Sequence, residues 1–289
     1  MIELIQQRLD EYQSGNAIEE EQAIKEIIQE IALFALWKSG FFEVAAFQGG
    51  TSLRILHGLP RFSEDLDFIL KEPDPKFDWS DYLKKLLENL EEFGLKTEVI
   101  DKSRMDQAVR KAVLKDNSVS NQLNLSFYRG QEDKKLIIKL EIDVNPPLGS
   151  GFEYTYKDFP VDYEVCHQDL TSNFALKIHA LLCRPYLNGR DWYNYNWHVK
   201  KGTKPYLPLL QAALIQDGPW KGEGLKINED WVKKKLLNKI ASIDWKEAAA
   251  DVECFMKKTE RDSLKLWSER FFTQKTEELF SKIQVKQEM

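Results

Sequence analysis

Two aspartates separated by one residue, Asp65 and Asp67, are the strongest chemical signal in the 289-residue sequence. The apolar residues Leu66 and Phe68 alternate with the two aspartates, and Leu70 continues their face, as in a β-strand. Residues two apart on a strand point to the same side, roughly 6.5–7 Å apart at their Cα atoms, so both carboxylates leave one face together. Their repulsion is relieved by a divalent cation such as Mg²⁺, which takes oxygen ligands and substrate phosphates. The alternative is an aspartate pair that only faces solvent.

A pair of glycines, Gly49 and Gly50, ends a predicted strand and is followed by the hydroxyl residues Thr51 and Ser52. Glycine removes the side chain that would keep a phosphate away from the backbone, and the N-terminus of a helix favours an anion. The segment therefore predicts a phosphate-binding turn, with a plain strand–turn–helix connection as the alternative. Asp65, fifteen residues after Gly50, favours the phosphate-binding interpretation.

Both pairs stand in the string GGTSLRILHGLPRFSEDLDF. This string resembles the AbiEii/AbiGii toxin-like nucleotidyltransferases of bacterial toxin–antitoxin and abortive-infection systems, a branch of the polymerase β-like nucleotidyltransferase superfamily. With later motifs, the resemblance covers roughly residues 47–199. It implies an α+β fold, in which a polymerase β-like nucleotidyltransferase core with a mixed sheet is followed by an all-helical C-terminal domain.

The same resemblance implies an activity and its partners. The protein is expected to transfer a nucleoside monophosphate from an NTP to an acceptor, with Mg²⁺ or Mn²⁺ held by Asp65 and Asp67 as catalytic residues. The acceptor is tRNA in some members of the family, and a cognate antitoxin is expected. Two alternatives remain open: a nucleotide-binding module with little or no turnover, and a nucleotidyltransferase that modifies a protein or a small molecule.

A third carboxylate is expected on the strand LIIKLEIDV, residues 136–144. Alternation sends Lys139, Glu141 and Asp143 to one face and five aliphatic residues to the other: Leu136, Ile138, Leu140, Ile142 and Val144. The superfamily that the sequence resembles often has a third metal-binding acid beside the aspartate pair, which implies this role for Glu141 ahead of Asp143. A charged, solvent-facing cluster around Lys139 is the alternative.

Lys177, in the segment SNFALKIHALL, falls at the edge of the apolar stripe of an amphipathic helix. A lysine turned toward a core needs an anion. The resemblance implies that Lys177 is catalytic and binds the phosphates of the nucleotide. An ordinary ion pair, or a side chain extended to solvent, is the alternative.

The segment GRDWYN matches the R-D-x-Y-D type pattern of the family, which implies a catalytic role for Asp191. The alternative is an acid that only stabilises the first turn of a helix. Asn194 stands where the pattern often ends in aspartate. Since an amide cannot act as a base and is a weaker metal ligand, any role of that second acid is in doubt.

Two further residues, Arg61 and Ser63, are expected to bind the nucleotide. A guanidinium can hold a phosphate through two parallel hydrogen bonds, as Arg61 or Arg54 would, although Arg54 is equally well explained as an exposed helix residue. Ser63 lies two residues before Asp65 and shares its face of the strand. Its hydroxyl is therefore expected near the metal site.

The predicted elements that position these residues are strands and helices in the first half of the chain and helices alone in the second half. Strand patterns cover residues 42–47, 65–70, 95–100, 122–127 and 136–144, and helical patterns cover 18–38, 51–57, 79–93, 168–183, 189–199, 208–216 and several segments within 230–283. A boundary within residues 157–167 predicts a catalytic domain over 1–160 and a helical domain over 161–289.

Composition limits the functional class. The sequence has 41 basic and 47 acidic residues, a net charge of −6, so RNA contact would have to come from local basic patches. Aromatic residues beside one such patch suit either base stacking or, more often, packing between helices: Trp192, Tyr193, Tyr195 and Trp197.

The sequence has no apolar run of about 18 residues, and we expect a soluble, cytoplasmic protein without membrane contact. Three cysteines without a CxxC pair argue against structural zinc.

Overall fold

The computed structural model describes residues 2–116, 118–125 and 135–281. The chain forms two compact units: the first unit comprises Met1–Pro146 and Phe152–Gln168, and the second unit comprises Pro147–Gly151 and Asp169–Met289. Every strand that the structure describes lies in the first unit. The predicted division into domains between residues 160 and 161 stays a prediction.

A seven-stranded mixed sheet forms the centre of the first unit. Its strands are β1 (Ala45–Gln48), β2 (Asp65–Leu70), β3 (Thr97–Asp101), β4 (Val109–Asp116), β5 (Leu136–Asp143), β6 (Phe152–Lys157) and β7 (Tyr163–Gln168). The order across the sheet is β3-β4-β5-β2-β1-β7-β6. The pairs β2–β5 and β1–β7 are parallel, and the other pairs are antiparallel. The strand with the aspartate pair, β2, is therefore the central strand.

The described part of the first unit also contains five α-helices, of which the second, third and fourth contact strands of this sheet. They are α1 (Ile2–Glu11), α2 (Ala17–Lys38), α3 (Gly49–His57), α4 (Ser80–Glu92) and α5 (Val119–Gln122). The side chain of Asn16 caps the start of α2, and Phe34 of α2 contacts Tyr163 of β7 with ring centroids 5.6 Å apart. Leu66 and Phe68 of β2 are buried, whereas the aspartates between and before them are partly exposed. Alternation thus turns the carboxylates away from the core.

The second unit is helical in the part of it that the structure describes. Its α-helices are α6 (Leu170–Cys183), α7 (Gly189–Lys200), α8 (Leu207–Gln216), α9 (Glu229–Ile240), α10 (Trp245–Glu253) and α11 (Glu269–Phe280), and a 3₁₀ helix covers Lys258–Leu266. Trp192 of α7 packs edge-on against Trp245 and Phe272, whose rings stack 4.2 Å apart. All four aromatic residues named beside the basic patch are at most 8% exposed, so the packing interpretation is confirmed.

The predicted α+β fold, with a mixed sheet followed by a helical region, is confirmed, while several element predictions are wrong. The predicted strand 42–47 begins instead with a 3₁₀ turn, Phe41–Glu43, before β1. The predicted strand 122–127 is wrong over residues 122–125, where Gln122 ends α5 and the next three residues are irregular, and its residues 126 and 127 lie outside the described residues. No helix within the described ranges is long and apolar enough to cross a membrane.

Candidate active site

The aspartate pair lies on the polar face of the central strand. In the parallel pairing of β2 with β5, Asp65 is the direct neighbour of Lys139 and Asp67 is the direct neighbour of Glu141. Direct neighbours on adjacent strands project to the same face. The structure therefore brings Glu141, the preferred third carboxylate, beside Asp67.

The glycine pair lies against the aspartate strand at the start of α3. Gly49 has φ +81°, in the left-handed region, and a Cβ at this position would lie 2.5 Å from Oδ2 of Asp67. A Cβ on Gly50 would lie 2.5 Å from Nη2 of Arg61 and 3.3 Å from Oγ of Ser63. Gly49 is thus needed for the close approach, whereas a Cβ at Gly50 would meet the end of the Arg61 side chain, and five of the predicted residues meet at one turn.

The hydroxyls of Thr51 and Ser52 bind backbone oxygens in this turn. Thr51 Oγ1 donates to the carbonyl oxygen of Asp65, and Ser52 Oγ donates to that of Gly49 at 3.0 Å. Both side chains are almost completely buried. Thr51 thereby joins the turn to the first residue of β2, and Ser52 closes the turn on itself. Because both hydroxyl protons are used, a donor for a phosphate has to come from the backbone N–H of either residue.

The two arginines considered for phosphate binding differ in their contacts. Arg61 is 2% exposed, and its Nη1 donates to the carbonyl oxygen of Phe62 at 2.9 Å. This orientation keeps a buried positive charge at the glycine pair. Arg54 instead pairs with Glu26 at 2.8 Å and donates to two carbonyl oxygens of the following loop. Arg54 therefore has a structural explanation that differs from both sequence interpretations.

A buried glutamine that the sequence analysis missed holds the segment before β2. Gln29, on α2, is fully buried and donates through Nε2 to the carbonyl oxygens of Ser63 at 3.2 Å and Glu64 at 2.8 Å. No signal in the sequence marks Gln29, because on a helical wheel it falls outside the apolar stripe of Ile24, Ile28 and Ile31. Gln29 thereby fixes the approach of the chain to Asp65.

The third carboxylate is not gathered with the aspartate pair around one point. Glu141 Oε1 lies 2.9 Å from Nζ of Lys111 on β4. Asp143 accepts a hydrogen bond from the N–H of Asn145 at 2.9 Å; burial raises the pKa of Asp143, and that hydrogen bond opposes the rise. Among the described residues, no three His, Cys, Asp or Glu side chains are arranged to hold a metal ion.

The donor set nevertheless suits Mg²⁺. This ion commonly binds through one or two carboxylates, with waters and substrate phosphates completing its coordination. Asp65 and Asp67 supply two hard oxygen donors on one face, and the Gly49 backbone that a Cβ would obstruct lies directly against one of them. A metal held by these two carboxylates fits the residues present, and the participation of Glu141 stays a prediction.

The remaining predicted residues, Lys177 and Asp191, lie in the second unit and contact each other. Nζ of Lys177 on α6 is 3.7 Å from Oδ1 of Asp191 on α7, and the other carboxylate oxygen accepts a hydrogen bond from Arg184. Asp191 is 4% exposed. An anion for Lys177 is therefore present within its own unit. Asn194, one turn further along α7, is buried.

Gly189 sets the position of the first turn of α7, which carries Asp191. Its N–H donates to Asp251 at 2.8 Å, and a Cβ on Gly189 would lie 1.9 Å from the carbonyl oxygen of Ala248 on α10. A methyl group at this position cannot fit without separating the two helices. The close approach of backbone to backbone thus requires glycine.

We expect Gly189→Ala to lower the free energy of unfolding by about 2–3 kcal/mol, the cost of overpacking at a rigid contact. Urea denaturation followed by tryptophan fluorescence would measure the change. Gly224→Ala is the matched control, because nothing lies within 4 Å of a Cβ at Gly224, and its effect should stay within about 0.5 kcal/mol. Equal unfolding midpoints for the two variants would contradict this account of α7.

Comparison with known proteins decides the family. A family model described as the nucleotidyl transferase AbiEii toxin of a type IV toxin–antitoxin system matches residues 31–265. The chain belongs to the AbiEii family. The resemblance seen in the sequence is therefore confirmed, and the family is one of nucleotidyltransferase toxins.

Other comparisons of this AbiEii family member are more distant. A crystal structure of a candidate nucleotidyltransferase from Helicobacter pylori has 15% identity and a TM-score of 0.47, covering 89% of this chain and 99% of that chain. The crystal structure of JHP933 from Helicobacter pylori has 15% identity and a TM-score of 0.45, covering 88% and 89%. No curated protein sequence gives a significant match.

Proposed function

We propose that this AbiEii family protein transfers a nucleoside monophosphate from an NTP to an RNA acceptor, in a Mg²⁺- or Mn²⁺-dependent reaction. The observation that supports the proposal most directly is the contact between Gly49 and Asp67, where a Cβ would come within 2.5 Å of the carboxylate. A backbone able to approach phosphates and a metal-binding acid thus lie side by side. The family supports the nucleotidyl transfer, whereas RNA, and tRNA in particular, is the finer part of the proposal.

In the proposed reaction, an acceptor hydroxyl oxygen bonds to the α-phosphorus of the NTP while the bond from that phosphorus to the bridging oxygen breaks. The hydroxyl proton passes to solvent, and pyrophosphate leaves. A bound Mg²⁺ would neutralise charge on the attacking and leaving oxygens. Asp65 and Asp67 would hold it, and the protein would otherwise act by positioning its substrates.

The first turn of α3 would bind the phosphates. The N-terminus of a helix carries partial positive charge, and Gly49 and Gly50 present backbone where side chains would block an anion. The guanidinium of Arg61 lies at Gly50 and adds a buried full charge to that turn. Ser63, at the same position, would contribute its hydroxyl.

Lys177 and Asp191 would act as a pair. The ammonium of Lys177 would stabilise the charge that develops on the leaving pyrophosphate. Asp191, only 4% exposed and within 3.7 Å of that ammonium, would orient it. Because Asp191 also accepts a hydrogen bond from Arg184, its carboxylate is fixed from two sides.

We expect the purified protein to transfer label from one of the four α-labelled NTPs to total RNA, with no transfer when EDTA removes Mg²⁺. Parallel reactions would offer a protein fraction and a small-molecule fraction as acceptors. Label in either of those fractions, with none in RNA, would contradict the RNA acceptor. Metal-dependent NTP binding without label transfer to any fraction would instead support a nucleotide-binding module, to which the amide of Asn194 also points.

We further propose that a cognate antitoxin is the protein partner.

A further inference from the structure

Two lysines each form an ion pair with an acidic residue on a neighbouring strand: Asp65, which is proposed to hold the metal, and Glu141, which is predicted to take part. Lys139 on β5 is the direct strand neighbour of Asp65, and its Nζ lies 3.8 Å from Oδ1 of that aspartate. Lys111 on β4 is the direct neighbour of Glu141, and its Nζ lies 2.9 Å from Oε1. Strand register thus places one ammonium beside each of two carboxylates on the polar face.

The charges of these lysines match the charge that a metal would bring. Carboxylates crowded on one strand face repel each other, and the two ammoniums together supply the charge of one divalent cation. The lysine side chains are 59% and 49% exposed, and ion pairs this accessible to water are weak. Breaking either ion pair therefore costs little folding stability, while the repulsion between each ammonium and an incoming cation remains.

We propose that Lys139 and Lys111 are positioning residues whose ammonium groups neutralise the carboxylates when no divalent cation is bound. They thereby make the site bind the metal–nucleotide complex in preference to the free ion. This inference rests on the proposed nucleotidyltransferase function. A free cation has to enter against two ammoniums, which repel it. When the cation arrives with a triphosphate, the displaced ammoniums face a polyanion, so the repulsion of the metal is offset by attraction of the phosphates.

The test is Mn²⁺ binding to the full-length protein, measured by the loss of the electron paramagnetic resonance signal of free Mn²⁺. We expect Lys139→Gln to bind free Mn²⁺ about five- to tenfold more tightly than the wild type at low ionic strength, with the difference shrinking as salt is added. Lys139→Arg keeps the charge and should retain wild-type affinity. The double variant Lys139→Gln/Lys111→Gln should bind free Mn²⁺ more tightly still.

A second titration distinguishes selection of the metal–nucleotide complex from a general effect of removing one positive charge. For the NTP that the wild type binds best, the affinity of Lys139→Gln for the Mn²⁺–NTP complex should be unchanged or weaker, because the missing ammonium no longer attracts phosphate. Unchanged affinity for the free ion, or an equal gain for the ion and the complex, would overturn the proposal.

The control is Lys38→Gln, which removes another half-exposed lysine from an ion pair. Nζ of Lys38 lies 2.7 Å from Oε2 of Glu92, between α2 and α4. Its Mn²⁺ affinity should equal that of the wild type. A wild-type protein that binds no Mn²⁺, with or without NTP, would overturn the proposed function as well, whereas normal metal binding and label transfer with no effect of Lys139→Gln would overturn the lysine proposal alone.

Discussion

Replacing Asp67 with asparagine is expected to lower the rate of nucleotidyl transfer by at least about 1000-fold, the scale of losing a charged group that stabilises the transition state. Asparagine keeps the shape of the side chain but removes the negative charge that a divalent cation requires. Asp67 lies on the polar face of β2, away from the core that Leu66 and Phe68 form. The variant should therefore fold, and circular dichroism with thermal melting would show it.

The matched control for this prediction is Asp101→Asn. Asp101 ends β3 in the same sheet, is exposed, and uses one carboxylate oxygen to accept the N–H of Ser103 at 2.8 Å, a bond that an amide oxygen can keep. Its transfer rate should equal that of the wild type. Initial rates of label transfer with saturating NTP would measure both variants. Full activity in a folded Asp67→Asn protein would contradict the assignment of Asp67 as a metal ligand. Loss of activity in both variants would show that the effect is not specific to Asp67.

Local patterns were sufficient to predict the central strand. The alternation at Asp65–Leu70 predicts the strand that the structure contains, with the same bounds. The helix that follows the glycine pair begins two residues earlier than predicted, at Gly49, because the glycines themselves form its first turn. Signals confined to a few consecutive residues were thus reliable at the site.

Three strands, β4, β6 and β7, were not predicted from the sequence. β4 carries charged residues between its apolar positions, and β6, sequence FEYTYK, is an edge strand whose tyrosines 154 and 156 are exposed. β7 lies mostly inside the stretch predicted as the domain boundary and pairs with β1. β7 becomes a strand by pairing with β1, far away in the sequence, and β6 by pairing with β7, and alternation within one segment encodes neither partner.

The same limit applies to the lysines of the polar face. The sequence showed that Lys139 and Glu141 share a face of β5, and it left open whether they form a surface cluster or part of the site. Only the register between β5 and β2 places Lys139 beside Asp65 and Glu141 beside Asp67. Register depends on how the whole sheet is assembled, so the sequence predicted the residues without their pairing.

Gly49→Ala is expected to lower the transfer rate by at least about 100-fold, because a misplacement of about 1 Å near the reacting groups costs that much. The left-handed φ of +81° at Gly49 is strained for alanine, and the added Cβ would meet Oδ2 of Asp67 at 2.5 Å. Either the glycine turn or the carboxylate has to move. The turn is proposed to hold the phosphates, and the carboxylate is proposed to hold the metal. Movement of either group would therefore separate the phosphates from the metal.

Gly58→Ala distinguishes this contact from backbone strain alone. Gly58 caps the other end of the same helix with φ +72°, and nothing lies within 4 Å of a Cβ there. Gly58→Ala should lose about 1–2 kcal/mol of folding stability from the left-handed conformation alone, and Gly49→Ala at least as much, measured by urea denaturation, but only Gly49→Ala should lose transfer. If the two variants lose activity equally, strain in α3 explains the effect, and the contact between Gly49 and Asp67 does not position the phosphates against the metal.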